Sequence, residues 1–135
     1  MAIALEIVSP ERLLLSRPVD MVVIPGSEGD MGVLQGHTPM IVMLRGGVIA
    51  LYHGDQVTDR LFVGGGFAEV TPERCTVLAT DATPVGELVR ADAERRLAEA
   101  QETYAAVDKN DMIAEEAAQD RVLAAQAMLE AVGAA

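Results

Sequence analysis

Tryptophan is missing from this chain of 135 residues, and two Phe and two Tyr are all the aromatic side chains it has. Stacking on bases or sugars therefore has almost nothing to work with. One cysteine, Cys75, excludes an internal disulfide and a cysteine-based zinc site. Positive charge is scarce as well: 10 Lys and Arg stand against 21 Asp and Glu, a net charge of −11 at pH 7. Neutralising phosphates needs clustered cations, so a nucleic-acid binder and a polybasic membrane anchor are both excluded. No apolar run approaches the ~20 residues of a bilayer-spanning helix. Residues 1–10 alternate, carry Glu6 and lack a basic stretch, so no signal peptide is expected there. Half of the residues are nevertheless apolar, too many for a disordered acidic tail. A soluble, acidic, cytoplasmic chain is expected.

Proline and glycine are missing from one half. All six prolines and 11 of the 12 glycines lie within residues 1–86, whereas residues 87–135 hold 15 of the 21 alanines. Gly and Pro punctuate turns and Ala is the strongest helix former, so a β body over 1–86 and an α-helical tail over 87–135 are predicted as separate domains. In the body, short apolar runs recur between turn signals about every 8–12 residues, the rhythm of sandwiches and barrels. The runs are Ile3–Val8, Leu13–Ser16, Met21–Ile24, Met40–Leu44, Val48–Tyr52, Val57–Val63, Phe67–Val70 and Cys75–Ala79. His53-Gly54-Asp55 reads as a hairpin turn. Eight to ten strands in two packed sheets are expected, with a core of Val, Leu, Ile and Met.

In the tail, Val89, Ala93, Leu97, Ala100, Tyr104 and Val107 form one helical stripe, and Ala118, Val122, Ala125, Leu129 and Val132 a second. Asp108-Lys-Asn-Asp111 lies between them as a turn, with Asn110 or Asp111 as N-cap of the second helix. Helices of about 20 residues, roughly 30 Å each, follow. Their narrow, alanine-rich faces bury little area, which suits a mobile element.

Candidate chemistry is thin. The glycine-rich Gly26–Gly32 and Gly64–Gly66 run into β-like sequence instead of a helix, and Glu28 and Asp30 would repel a phosphate, so turns and bulges are the reading. His37 has no metal-ligand spacing around it, and Cys75 reads as a buried, inert thiol. Ser9, Ser16 and Ser27 lack a neighbouring base. No catalytic or metal-binding residue is assigned. Asp81, Glu87, Arg90, Arg95 and Arg96 admit two readings: arginines that receive a nucleotide's phosphates, or a solvated face with Glu87–Arg90, Asp92–Arg95 and Asp92–Arg96 pairs.

Pro25-Gly-Ser-Glu-Gly-Asp-Met-Gly-Val-Leu-Gln-Gly-His-Thr-Pro-Met40 closely resembles the signature of the epsilon subunits of rotary F-type ATP synthases. Gly64-Gly-Gly-Phe-Ala-Glu-Val70 and Val77-Leu-Ala-Thr-Asp-Ala82 look like that family's next two landmarks, in order and spacing. The resemblance covers essentially the whole chain and, without a transit peptide, suits a bacterial member. It implies an N-terminal ten-stranded β-sandwich followed by a C-terminal antiparallel two-helix hairpin, mainly β plus α. It also implies a non-catalytic central-stalk (rotor) subunit, peripheral on the cytoplasmic face of the bacterial inner membrane. That subunit couples proton-driven rotation to ATP synthesis. The implied partners are the gamma subunit, the ring of c subunits and, through the hairpin, the catalytic alpha/beta head. Carried over onto this chain, Glu28, Asp30 and His37 belong to the ring-facing loop.

Some bacterial members bind ATP through Ile/Leu-Asp-x-x-Arg-Ala, which resembles Gly86-Glu87-Leu-Val-Arg90-Ala91. Arg90 and Ala91 match, Glu87 lengthens the acid, Gly86 replaces the apolar residue, and Leu97 stands where an ATP-binding relative has arginine. Weak regulatory ATP binding at Glu87, Arg90 and Ala91 is the implied reading, with no other cofactor. The alternative function is a nucleotide-sensing regulator of ATP hydrolysis. A third class, a free-standing sandwich enzyme or small-ligand binder, lacks a catalytic constellation. Inhibitory members meet acidic loops of the head with a basic helix. Here residues 111–135 carry five acids and the single base Arg121, so like charges predict weak inhibition.

Overall fold

The computed structural model describes residues 2–80 and 82–134; Asp81 of the junction cluster and of the third landmark lies outside them. Ten strands come first: β1 (Ile3–Val8), β2 (Leu13–Val19), β3 (Met21–Gly26), β4 (Gly29–Val33), β5 (Met40–Leu44), β6 (Gly47–His53), β7 (Gln56–Val63), β8 (Gly66–Val70), β9 (Arg74–Leu78) and β10 (Ala82–Pro84). A 3-10 turn at Val85–Glu87 leads into α1 (Arg90–Ala106) and α2 (Met112–Ala134). The ten-stranded sandwich with a two-helix hairpin is what the residues and the resemblance led us to expect. Two strands escaped the apolar pattern. β4 is built from Gly29, Asp30, Met31, Gly32 and Val33 and exists by pairing with β3. β10 is three residues long and pairs with β7.

The strands follow one hydrogen-bonded path, β10-β7-β6-β3-β5-β8-β9-β1-β2, with β4 on the other edge of β3. The path folds where β3 meets β5 through one residue pair, Gly26 with Leu44. That corner divides it into a β4-β3-β6-β7-β10 layer and a β5-β8-β9-β1-β2 layer. Strand alternation turns Ile3, Leu5 and Ile7 of β1, Val22 and Ile24 of β3, Ile49 and Leu51 of β6, and Cys75 and Val77 of β9 inward, all fully buried. Burial pushes the Cys75 thiol up to about 11, as its reading as an inert core residue requires. Gly66 is obligatory: its φ is +132°, and a Cβ there would lie 2.1 Å from the Leu78 carbonyl oxygen.

The hairpin covers the outside of the first layer. Val48 and Phe62, paired across β6 and β7, meet Val85, Ala93, Met128 and Ala131 in a second apolar cluster that shares no residue with the sandwich core. α1 has 17 residues and α2 has 23, about 26 and 35 Å long. Their facing sides are alanines, Ala93 and Ala100 against Ala118 and Ala125, all buried. Asp111 is the N-cap of α2, its Oδ1 accepting from the Ala114 N–H at 3.1 Å. Among the described residues Asp92 pairs with Arg95 (3.3 Å), which also reaches Glu99 (3.9 Å). The Glu87–Arg90 and Asp92–Arg96 pairs do not form among them. Glu87 sits in the 3-10 turn before α1, outside helical spacing, and Arg96 lines a crevice instead.

Candidate docking surface

Ser27 and Glu28 form the tip of the β3–β4 hairpin, and Asp30 lies one residue into β4 opposite Pro25. Glu28 and Asp30 are exposed, and Asp30 forms an ion pair with Arg45 at the end of β5. Ser27 donates its N–H to the Met43 carbonyl at 2.8 Å, which ties the tip to β5. His37 is elsewhere. It lies past the far end of β4, in the loop to β5, half-buried, with Nδ1 2.8 Å from the Thr38 carbonyl oxygen. The preceding Gly36 donates to the Pro72 carbonyl at 2.7 Å. β4 has five residues, so the acidic tip and His37 are separated by about 15 Å of strand. The three side chains thus mark the two ends of the free edge of β4 and do not converge.

The second layer carries a feature that the sequence reading did not single out. Met43 pairs with Phe67, Phe67 with Leu78, Leu78 with Val8, and Val8 with Leu13, giving one apolar row across five strands. All five side chains are on the outer side, and Met43 (62%), Leu13 (54%) and Phe67 (40%) are exposed, with Ile41 (68%) beside them. The neighbouring row is polar after Ile41: Glu69, Thr76, Glu6 and Ser16. A signal was available. Met40-Ile-Val-Met-Leu44 is apolar at every position, so it cannot present a polar outer face in the way that β1 does with Glu6. Monomeric proteins rarely leave a contiguous apolar patch uncovered unless something binds it. The row ends at Met43, against the acidic tip, so the two form one continuous surface.

The junction residues are dispersed. Glu87, Arg90 and Ala91 are exposed, and the Arg90 guanidinium lies beside Gly133 in the last turn of α2, where a Cβ would be 3.6 Å from Nη2. None of the three lines the crevice of about 300 Å³ between the hairpin and the sandwich. That crevice has Phe62, Ala125 and Met128 within it and Arg96 and Arg121 among its lining residues. Among the described residues no group of His, Cys, Asp and Glu is arranged to hold a metal ion.

Residues 2–85 match the family described as ATP synthase, Delta/Epsilon chain, beta-sandwich domain. The chain belongs to the ATP synthase delta/epsilon family. A relative named ATP synthase epsilon chain, from Granulibacter bethesdensis, is 63% identical over 128 residues, 95% of each chain. Another of that name, from Gluconacetobacter diazotrophicus, is 45% identical over 133 residues, 98% of this chain and 94% of its own. Among solved structures, a chain of the Euglena gracilis mitochondrial ATP synthase OSCP/F1/c-ring assembly has the same fold. It superposes with a TM-score of 0.78 at 23% identity, covering 97% of this chain and 81% of that one. A chain of the Tetrahymena thermophila mitochondrial ATP synthase central stalk and c-ring gives 0.68 at 14% identity, covering 98% and 97%. The epsilon chain expected from the motif run in residues 25–40 is thus the family found.

Proposed function

We propose that this family member is the non-catalytic central-stalk subunit of a bacterial, proton-translocating F-type ATP synthase. It would be held between the gamma subunit and the ring of c subunits and would transmit proton-driven rotation to ATP synthesis. The observation that carries the reading is the two-sided sandwich: one outer face is covered by the chain's own hairpin, the other presents the Met43–Phe67–Leu78–Val8–Leu13 row. An apolar row with a polar neighbour suits a lasting protein contact, and gamma is assigned to it. The acidic tip with Glu28 and Asp30 is assigned to the ring, and His37 continues that surface at the other end of β4. Among the described residues no helix is long and apolar enough to cross a membrane. Attachment to the cytoplasmic face of the inner membrane would therefore come through the partners. Residues 1–86 and 87–135 act as separate domains in this reading, and the acidic α2 makes the hairpin a weak brake on the alpha/beta head. The test is co-purification of gamma with the full chain carrying Met43→Ser and Phe67→Ser. Loss of gamma with an unchanged thermal unfolding midpoint is expected; retention of gamma at wild-type yield would reject the assignment.

A second reading, a nucleotide-responsive regulator, is favoured by one observation: Arg96 and Arg121 line a crevice with an apolar floor under the hairpin. Two arginines on one lining, which Glu99 shares, suit phosphates, and the floor suits a base. Equilibrium dialysis with ATP tests it. Binding lost in Arg121→Ala places ATP in the crevice, binding lost in Arg90→Ala places it at the Glu87–Ala91 motif, and no binding by the wild-type chain removes this reading.

A further inference from the structure

Segments remote in sequence meet at the β5–β6 corner, residues 45–47. From one side Arg45 donates its N–H to the Pro25 carbonyl at 2.9 Å, and its guanidinium pairs with Asp30. The same guanidinium lies over Gly47: a Cβ there would come within 3.0 Å of Arg45 Nη1 and 2.8 Å of Pro25 Cβ. From the other side comes α2, so close that a Cβ on Gly46 would lie 2.6 Å from both Cα and Cβ of Ala124. The corner is therefore packed on both faces with no spare space. A displacement of its backbone by about 1 Å is felt by both neighbours, because close-packed contacts transmit small shifts. The Asp30–Arg45 pair itself is exposed, at 61% and 45%, so another molecule can compete for it.

We propose that the Asp30–Arg45 pair is a relay between the acidic tip and the helical hairpin. While the pair is closed, Arg45 holds the Gly46 corner in the shape that receives Ala124. A partner that offers a cation or N–H donors to Asp30 draws it away from Arg45, and the corner then grips α2 less well. The coupling is reciprocal: release of the hairpin favours a partner at Asp30 by the same factor. An exposed pair limits the size of the effect to about two- to fivefold in the ratio of docked to undocked hairpin. The relay rests on the reading of the tip as partner-facing.

Hydrogen exchange of the full chain at neutral pH, read by mass spectrometry, tests the relay. In Asp30→Asn and in Arg45→Gln the α2 amides should exchange two- to fivefold faster, while those of β1 and β9 keep their wild-type rates. The double variant should be no faster than Arg45→Gln alone, because the pair is already open in that single variant. Glu6→Gln, which opens the Glu6–Arg74 pair (3.3 Å) on the other layer, should leave α2 unchanged. Unchanged α2 exchange in Asp30→Asn overturns the relay, as does an additive double variant. Should Arg45→Gln not fold, Asp30→Asn decides alone, since it alters only an exposed carboxylate. A second arm adds detergent-solubilised c-subunit ring to the wild-type chain. Protection of residues 27–30 with faster α2 exchange supports both the relay and the ring assignment; protection without it overturns the relay. No protection, with the single variants still accelerated, rejects the ring as the partner and upholds the relay.

Discussion

Met128 is the residue on which the hairpin's hold on the sandwich is most directly weighed. It is 6% exposed and packs with Phe62, Val85, Ala93 and Ala131, none of which belongs to the core around Ile3, Leu5 and Ile7. Truncating a buried Met to Ala costs about 2–5 kcal/mol. The low end applies here, because Met128 also lines the crevice of about 300 Å³ and the space left behind joins a site that water already reaches. A loss of about 2 kcal/mol corresponds to roughly a 30-fold change in an equilibrium constant. Since the two clusters share no residue, the loss should fall on docking of the hairpin and spare the sandwich. Once undocked, an alanine-faced pair of helices keeps little tertiary support and exchanges its amides quickly. In Met128→Ala, hydrogen exchange should therefore rise about 30-fold across Arg90–Ala106 and Met112–Gly133 and stay at the wild-type rate in β1 and β9. Equal acceleration in strands and helices would show one cooperative unit and refute the separation. Wild-type exchange throughout would instead refute the weight given to Met128 and mean that Phe62 and the alanines hold the hairpin without it.

Four further outcomes are expected. Gly66→Ala forces a Cβ to 2.1 Å from the Leu78 carbonyl oxygen at a φ of +132°, so thermal unfolding of the sandwich should show a loss of about 3 kcal/mol or more. Asp111→Ala removes the acceptor of the Ala114 N–H and should cost α2 about 1 kcal/mol, read as faster exchange in its first turn and lower helicity by circular dichroism. The Cys75 thiol, pushed up to about 11 by burial, should resist alkylation at pH 8 in the folded chain and react at once in denaturant. With its folded-state value raised, its contribution to stability is full below about pH 9 and is lost as the pH rises toward 11, which alkaline unfolding curves of Cys75→Ala against wild type should reveal.

Local chemistry carried much of the architecture. Ile3–Val8 and Met40–Leu44 are strands to the residue, because unbroken alternation or an unbroken apolar run between turn residues leaves few other options. All six prolines and 11 of the 12 glycines lie before α1, and Asp111, one of the two N-cap candidates in the sequence, caps α2. β4 stayed hidden since Gly29, Asp30 and Gly32 carry no strand preference; its backbone becomes a strand only against the partner that β3 supplies. Of the three charged pairs read at the junction, Asp92–Arg95 forms inside α1, whereas Glu87–Arg90 does not, because spacing arguments hold inside a helix and Glu87 precedes one.

The family enters through the resemblance carried by the motif in residues 25–40, while composition and turn chemistry settle, without coordinates, a β body followed by a helical tail. They settle it because periodicity and punctuation act between near neighbours in the chain. Folding decides the rest. It sends Asp30 and His37, seven positions apart in sequence, to opposite ends of β4. It lines up Met43, Phe67, Leu78, Val8 and Leu13 across five strands, and it presses Ala124 onto Gly46. Such meetings depend on register and layer order between segments tens of residues apart, and only the packing of the whole chain sets those.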